Sequence, residues 1–99
     1  MHSMIHYAIQ NHLLMEFNYN NEGVRVVEPY CLGLTTADHV ALRAYQLRGY
    51  TTSIVPEWKL FDLSKVSEVK ILAESFDHTS REGYQVGDKA MKTIYMQVY

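Results

Sequence analysis

The chain has 99 residues, 47% hydrophobic and 20% charged, with nine Lys and Arg against eleven Asp and Glu for a formal net charge of −2. That length holds one domain with a thin core, burying roughly 60–65% of the surface its unfolded form exposes, and the acidic balance excludes non-specific coating of duplex DNA, which requires net phosphate neutralisation. A single cysteine, Cys31, excludes an internal disulfide and a cysteine-based zinc site; no run reaches the ~18 apolar residues of a membrane span, and Met1-His2-Ser3-Met4 has no leader character, so a soluble, cytoplasmic protein is expected.

Residues 3–12 read as a short helix: Ser3 is an acceptable N-cap, and Ile5, Ala8, Ile9 and His12 recur at helical spacing. So short a helix needs something to pack on. Residues 13–19 alternate Met15, Phe17 and Tyr19 against Leu14, Glu16 and Asn18, the period of a strand. Asn20-Asn21-Glu22-Gly23 is a hairpin turn, with Gly23 placed for a positive φ. The returning strand, 24–28, meets Pro29, which ends ladder donation or marks an edge or a bulge, and the chain stays extended through 30–34. After a turn at Thr35-Thr36-Ala37-Asp38, a third strand spans 39–46. One face (Val40, Leu42, Ala44) is wholly apolar and belongs in the core; the other carries His39, Ala41, Arg43 and Tyr45. Residues 47–57 form the longest irregular stretch, of a length often given over to function. A strand at 58–62, a helical turn at 62–66 and a strand at 69–73 follow. Residues 77–83 are polar. The tail 88–99 fits a helix capped by Asp88, through Met91, Ile94, Tyr95 and Val98. It also fits a strand, through Ile94, Met96 and Val98; the helix is weakly preferred.

A short helix and about five closely spaced strands make a small, strongly bent antiparallel sheet or partly open barrel. Closing the sheet would remove its exposed edges. Three Phe, eight Tyr and one Trp suit strands, and they also suit a surface that stacks bases. No linker, repeat or low-complexity tract divides the chain.

In this order along the chain, Ala8-Ile9, Phe17-Asn18-Tyr19, Gly23, Arg25, Val27-Glu28-Pro29-Tyr30, Leu32-Gly33-Leu34, Leu42-Arg43-Ala44-Tyr45 and the run from Trp58 to Val66 resemble a WYL domain, over about residues 3–76. The resemblance implies a mainly β, α+β fold: a small SH3-like or Sm-like five-stranded β-barrel behind a short N-terminal helix. It divides the chain into a barrel domain, 1–76, and a C-terminal extension, 77–99, that packs on the barrel or on a partner. It also implies a ligand-sensing module for negatively charged ligands, including nucleotides and single-stranded nucleic acid. The naming tripeptide falls on Val40-Ala41-Leu42, where only Leu42 agrees, so no role passes to Ala41. The family's later basic run falls on Lys59, Asp62 and Lys65, with Asp62 acidic and Arg43 placed where an aliphatic residue is usual.

Arg43 and Tyr45, two apart on one strand, project from one face. Folding is expected to bring Lys59 and Lys65 to that face, with Arg48 from the following loop and Trp58 or Tyr50 at the rim. Guanidinium forks grip phosphate and rings stack bases, so Arg43, Tyr45, Lys59, Lys65 and Arg48 are the expected ligand-binding residues. The competing reading is a set of solvated charges among Glu57, Asp62 and Glu68. His2 and His6, four apart on the helix, lack a third ligand nearby, so no metal is expected. Cys31 reads as a buried thiol, and Asp38-His39 lacks the nucleophile elbow and oxyanion glycines of a hydrolase. No phosphate-binding glycine loop is present. The chain is therefore expected to be a non-enzyme without a cofactor, binding a nucleotide or short single-stranded nucleic acid away from membranes. Its Tyr and Met content and the basic-aromatic tail of Arg81, Tyr84, Lys89 and Lys92 suit a homodimer or a separate protein partner. The alternative function is an interaction or homo-oligomerisation module without a small ligand.

Overall fold

The computed structural model describes residues 1–51 and 56–99. It is mainly β, with a helix laid against one antiparallel sheet. Helix α1 is His2–Gln10, and its buried residues Ile5, Ala8 and Ile9 form the stripe that the spacing predicts. The helix begins one residue earlier than Ser3 and ends before His12. Met1 stands at the N-cap with no side-chain cap bond, so burial of the stripe, rather than capping, sets where the helix starts. Asn11 closes it by donating from Nδ2 to the Tyr7 carbonyl at 2.9 Å, and His12, at φ 52°, turns the chain into the sheet.

Strand β1 (Leu13–Tyr19) hairpins into β2 (Val24–Thr35) through Asn20, Asn21 and Gly23, all at positive φ. β2 is one strand of 12 residues that runs straight through Pro29. The register shifts between Pro29 and Cys31, and here β2 also changes neighbour: Val24 to Val27 pair with β1, Cys31 to Thr35 with β6. A residue without a ladder donor is tolerated at such a bulge. β3 (Val40–Gly49) pairs with β2 and with β4 (Glu57–Asp62). A 3-10 turn, Leu63–Lys65, capped by the Asp62 carboxylate on the Ser64 N–H, carries the chain into β5 (Val66–Ser75), which pairs with β1. A second 3-10 turn, His78–Ser80, precedes β6 (Met91–Gln97).

Three expectations are corrected. The irregular stretch begins later than residue 47, because β3 continues through Leu47 and Arg48 to Gly49; residues 52–55 of that stretch lie outside the described residues. The tail is a strand rather than a helix: the Cys31 to Thr35 half of β2 has no β1 residue beside it, and its free ladder groups are met by β6. The sheet therefore has six strands rather than five, in the order β4-β3-β2-β1-β5 with β6 on β2, and its end strands β4 and β5 share no ladder, so it stays open.

The main core joins Ile5, Ala8 and Ile9 of α1 to Met15, Phe17, Val27, Tyr30, Leu32, Leu42 and Phe61, with the Phe17 and Phe61 rings edge-to-face at 5.0 Å. A satellite of Cys31, Ala41, Met91 and Ile94 fills the far side of the sheet under β6. Gly33 makes that approach possible: a Cβ there would stand 2.4 Å from the Thr93 carbonyl oxygen. Segment 77–99 thus contributes a strand to the sheet and a cover for its outer face. Among the described residues, no helix is long and apolar enough to cross a membrane.

Candidate functional site

Strand register decides which predicted site residues meet. Tyr45 pairs with Trp58 and Glu28, and Arg43 with Leu60 and Cys31, so Glu28, Cys31, Arg43, Tyr45 and Trp58 share the outer face of β2, β3 and β4. Lys59 pairs with Ala44, which places it on the opposite, inner face with Phe61. Its ammonium donates to Glu57 at 2.8 Å and to Thr51 at 3.1 Å. Lys65 is exposed on the turn before β5, and Arg48 is exposed with its guanidinium 3.8 Å from Glu74. Only Arg43 and Tyr45 of the five expected binding residues come together; a period of two places Lys59 on the wrong face by one residue.

The outer face is covered by the chain itself. Segment 76–90 crosses it as a strap fastened at both ends. Near its start, Arg81 makes a two-bond fork to Glu28, Nε to Oε1 at 2.9 Å and a terminal nitrogen to Oε2 at 2.7 Å. The Glu28 hydrogen bond pushes the Arg81 pKa up. The same guanidinium lies 4.0 Å above the Tyr45 ring. Glu28 is 4% exposed and also accepts from the Tyr30 hydroxyl at 3.0 Å. Burial, and then the Glu28 charge, raise the Tyr30 pKa. In mid-strap, Tyr84 stacks on Trp58 with centroids 5.8 Å apart, donates its hydroxyl to the Val98 carbonyl at 2.7 Å and is raised in pKa by burial. Trp58 in turn donates Nε1–H to the Glu82 carbonyl at 2.7 Å. Gly83 lies flat on that indole at φ +90°, where a Cβ would stand 2.8 Å from Nε1. At the far end Asp88 accepts from Arg43, Nε to Oδ2 at 2.7 Å. Burial alone would raise the Asp88 pKa; the hydrogen bonds from Arg43 and the Ala90 N–H, with the Arg43 charge, outweigh it and hold the carboxyl below the usual range.

Between strap and sheet lies a cavity of about 200 Å³, lined by Arg43, Trp58, Gly83, Tyr84, Gln85 and Asp88. Small-molecule sites usually enclose about 300–1,000 Å³, so nothing as large as a nucleotide enters until the strap moves. Cys31 lies beneath, fully buried, its thiol pushed up to about 11 by burial and by Asp88 against the opposing pull of Arg43. A thiol in that state is no nucleophile at neutral pH.

The remaining titratable groups are scattered. His39 Nδ1 is 3.9 Å from Asp62, with the His39 side chain 64% exposed. His2 stacks on Tyr95, and His12 on His78 at 4.2 Å. Among the described residues, no three His, Cys, Asp or Glu side chains gather as metal ligands.

Sequence reasoning missed Glu28 and Asp88 as partners of Arg81 and Arg43, because they are 53 and 45 residues distant in the chain. It also passed over Arg25, a charge that the fold buries. Arg25 interrupts the apolar run of Val24, Val26 and Val27 and pairs in register with core Phe17. A charge at a core-facing position of a strand was the signal available. Comparisons of this chain with models of protein families, with curated proteins and with solved structures return no match.

Proposed function

We propose that this chain is a WYL-like binding module, a partly open SH3-like barrel of the cytoplasm that senses an anionic ligand without catalysing a reaction. The ligand class is a nucleotide or a short single-stranded nucleic acid, and the site is the outer face under the strap. One observation carries this reading: Arg43 already grips an oxyanion, the Asp88 carboxylate, beside a cavity walled by Trp58 and Tyr84. Asp88 acts as a tethered stand-in for phosphate, and the rings offer a base a stacking surface. Ligand binding displaces Asp88 and lifts the strap. Lys59, Lys65 and Arg48 stand outside this pocket.

The test follows Trp58, the only tryptophan in the chain, while AMP and a short oligothymidylate are titrated at low and moderate salt. Saturable quenching that weakens with salt is expected. Asp88→Asn, which removes the tethered competitor, tightens binding about tenfold, and Arg43→Ala abolishes it. Quenching absent from both wild type and Asp88→Asn overturns the reading.

A second reading, self-association, is favoured by the exposed side chains of Met1, Met4, Tyr7, Tyr95 and Tyr99 on α1 and along or beyond β6. Sedimentation across a concentration series tests it; a strict monomer at high concentration removes it.

A further inference from the structure

The Arg43–Asp88 pair that fastens the far end of the strap also divides the outer face in two. On one side lies the cavity walled by Trp58 and Tyr84. On the other lies a second depression of about 330 Å³. Ala41, Leu60 and Ala90 give it an apolar lining, and Thr36, His39 and Asp62 a polar one. Strand register sets the two spaces side by side. Arg43 stands opposite Leu60, and Ala41, the next residue of β3 on that face, stands opposite Asp62. One such step along a strand is about 7 Å.

The partition between the two spaces is a side chain. Asp88 reaches Arg43 through its carboxylate. Behind it the backbone is pinned: the Met91 N–H donates to the Asp88 carbonyl and the Thr36 N–H to the Ala90 carbonyl, both at 3.0 Å. When the Asp88 carboxylate leaves Arg43, Ala90 keeps its place and the two spaces join. The joined space falls within the ~300–1,000 Å³ usual for small-molecule sites.

The chemistry differs on the two sides of Arg43. In the second depression, hydrogen bonds from Ser64, that of its side chain first, hold the Asp62 carboxyl below the usual range, so it is an anion at neutral pH. Among the described residues, no Lys or Arg lines this depression. Lys65, whose charge also reaches Asp62, stands on the turn and lines neither space. A second phosphate placed here would face a carboxylate without a cationic partner. A nucleoside suits the same walls. Its hydroxyl and amino groups donate to Asp62 and Thr36, and its base lies on Leu60 and on the flat face of His39, whose side chain is 64% exposed.

We propose, on the outer-face reading given above, that the ligand is a phosphodiester joining two nucleosides and not a nucleotide with a chain of phosphates. The phosphodiester replaces the Asp88 carboxylate on Arg43. One base stacks against Trp58 and Tyr84, and the second nucleoside fills the depression beside Leu60 and His39.

Adenylyl-adenosine (ApA), AMP and ADP are titrated into the whole chain, wild type and Asp88→Asn, with Trp58 quenching as the signal. ApA is expected to bind about tenfold tighter than AMP, the order of one additional stacked base, and ADP no tighter than AMP. His39→Ala, a change at an exposed side chain, cuts the advantage of ApA about threefold. Asp62→Asn keeps an oxygen to cap Ser64 but lifts the charge, so ADP then binds tighter than AMP. ApA binding no tighter than AMP in wild type overturns the proposal. So does ADP binding tighter than AMP in wild type, or an ApA advantage that is whole in His39→Ala. In each of these results AMP still binds, and the outer-face reading stands without this extension. No saturable quenching by any of the three, in wild type or Asp88→Asn, removes that reading and the proposal together.

Discussion

Replacing Arg81 by Met tests whether the strap is fastened to the sheet as its contacts imply. The side chains of Glu28 and Arg81 are 5% and 27% exposed, and two charge-assisted bonds of 2.9 and 2.7 Å join them. Met keeps much of the apolar stem over Tyr45 but leaves the Glu28 carboxylate buried, with only the Tyr30 hydroxyl at 3.0 Å. Removing one partner of a buried pair costs ~3–5 kcal/mol. Arg81 keeps some contact with water, so the lower end applies, about 3 kcal/mol. In a domain near 100 residues that corresponds to a fall in melting temperature of ~12–24 °C. Urea denaturation followed by circular dichroism measures the loss. Trp58 emission measures strap release in the native baseline, since Trp58 is bonded to Glu82 and stacked on Tyr84. The double variant Glu28→Leu with Arg81→Met replaces the pair by apolar groups and should return to within ~1 kcal/mol of wild type, because an ion pair and a well-packed apolar pair are often near parity. A loss of under ~0.5 kcal/mol in Arg81→Met, the range of an exposed pair, would refute the reasoning and leave the strap without its anchor.

Acid should open the other end of the strap. The folded-state pKa of Asp88 is depressed, so its contribution is complete above the unfolded carboxylate value of about 4 and is lost as pH falls through the lower folded value. Trp58 emission should show this acid step in wild type and lack it in Asp88→Asn. Gly33→Ala should destabilise by ~1–3 kcal/mol in chemical denaturation, because the new methyl meets backbone, the Thr93 carbonyl at 2.4 Å, rather than a side chain that can rotate away. Burial, and then His78, lower the pKa of His12. Stability should therefore be complete above pH ~6.5 and decline as pH falls below it, and His78→Gln should lessen the decline. Native Cys31 should react with iodoacetamide at pH 8 only at the rate of global opening, since the thiol is buried and its pKa is about 11.

Local pattern made most of the strands legible. The alternation in Leu13–Tyr19 and the Asn-Asn-Glu-Gly turn act over two to four residues, and the sheet keeps both. Spacing of three and four in Ile5, Ala8 and Ile9 likewise marked the buried stripe of α1. The tail from Asp88 onward was not legible, since its apolar residues satisfy both periods; the vacant ladder of β2 chose the strand. Arg43 and Tyr45 were placed on one face by a spacing of two, which any strand enforces. Lys59 required the register between two strands, and a shift of one residue there exchanges the faces.

By itself, then, the sequence determined the existence and type of most elements, the core faces of α1 and β3, and the pairing of Arg43 with Tyr45. These follow from periodicities that backbone geometry imposes on neighbours a few residues apart. Tertiary structure alone decided that the sheet stays open, that β6 fills the second half of β2, and that Glu28 and Asp88 close on Arg81 and Arg43 across 53 and 45 residues. It also decided that Arg25 enters the core without a carboxylate among the described residues. Ion pairs and burial depend on distances in space, and a linear pattern of residues carries no record of those.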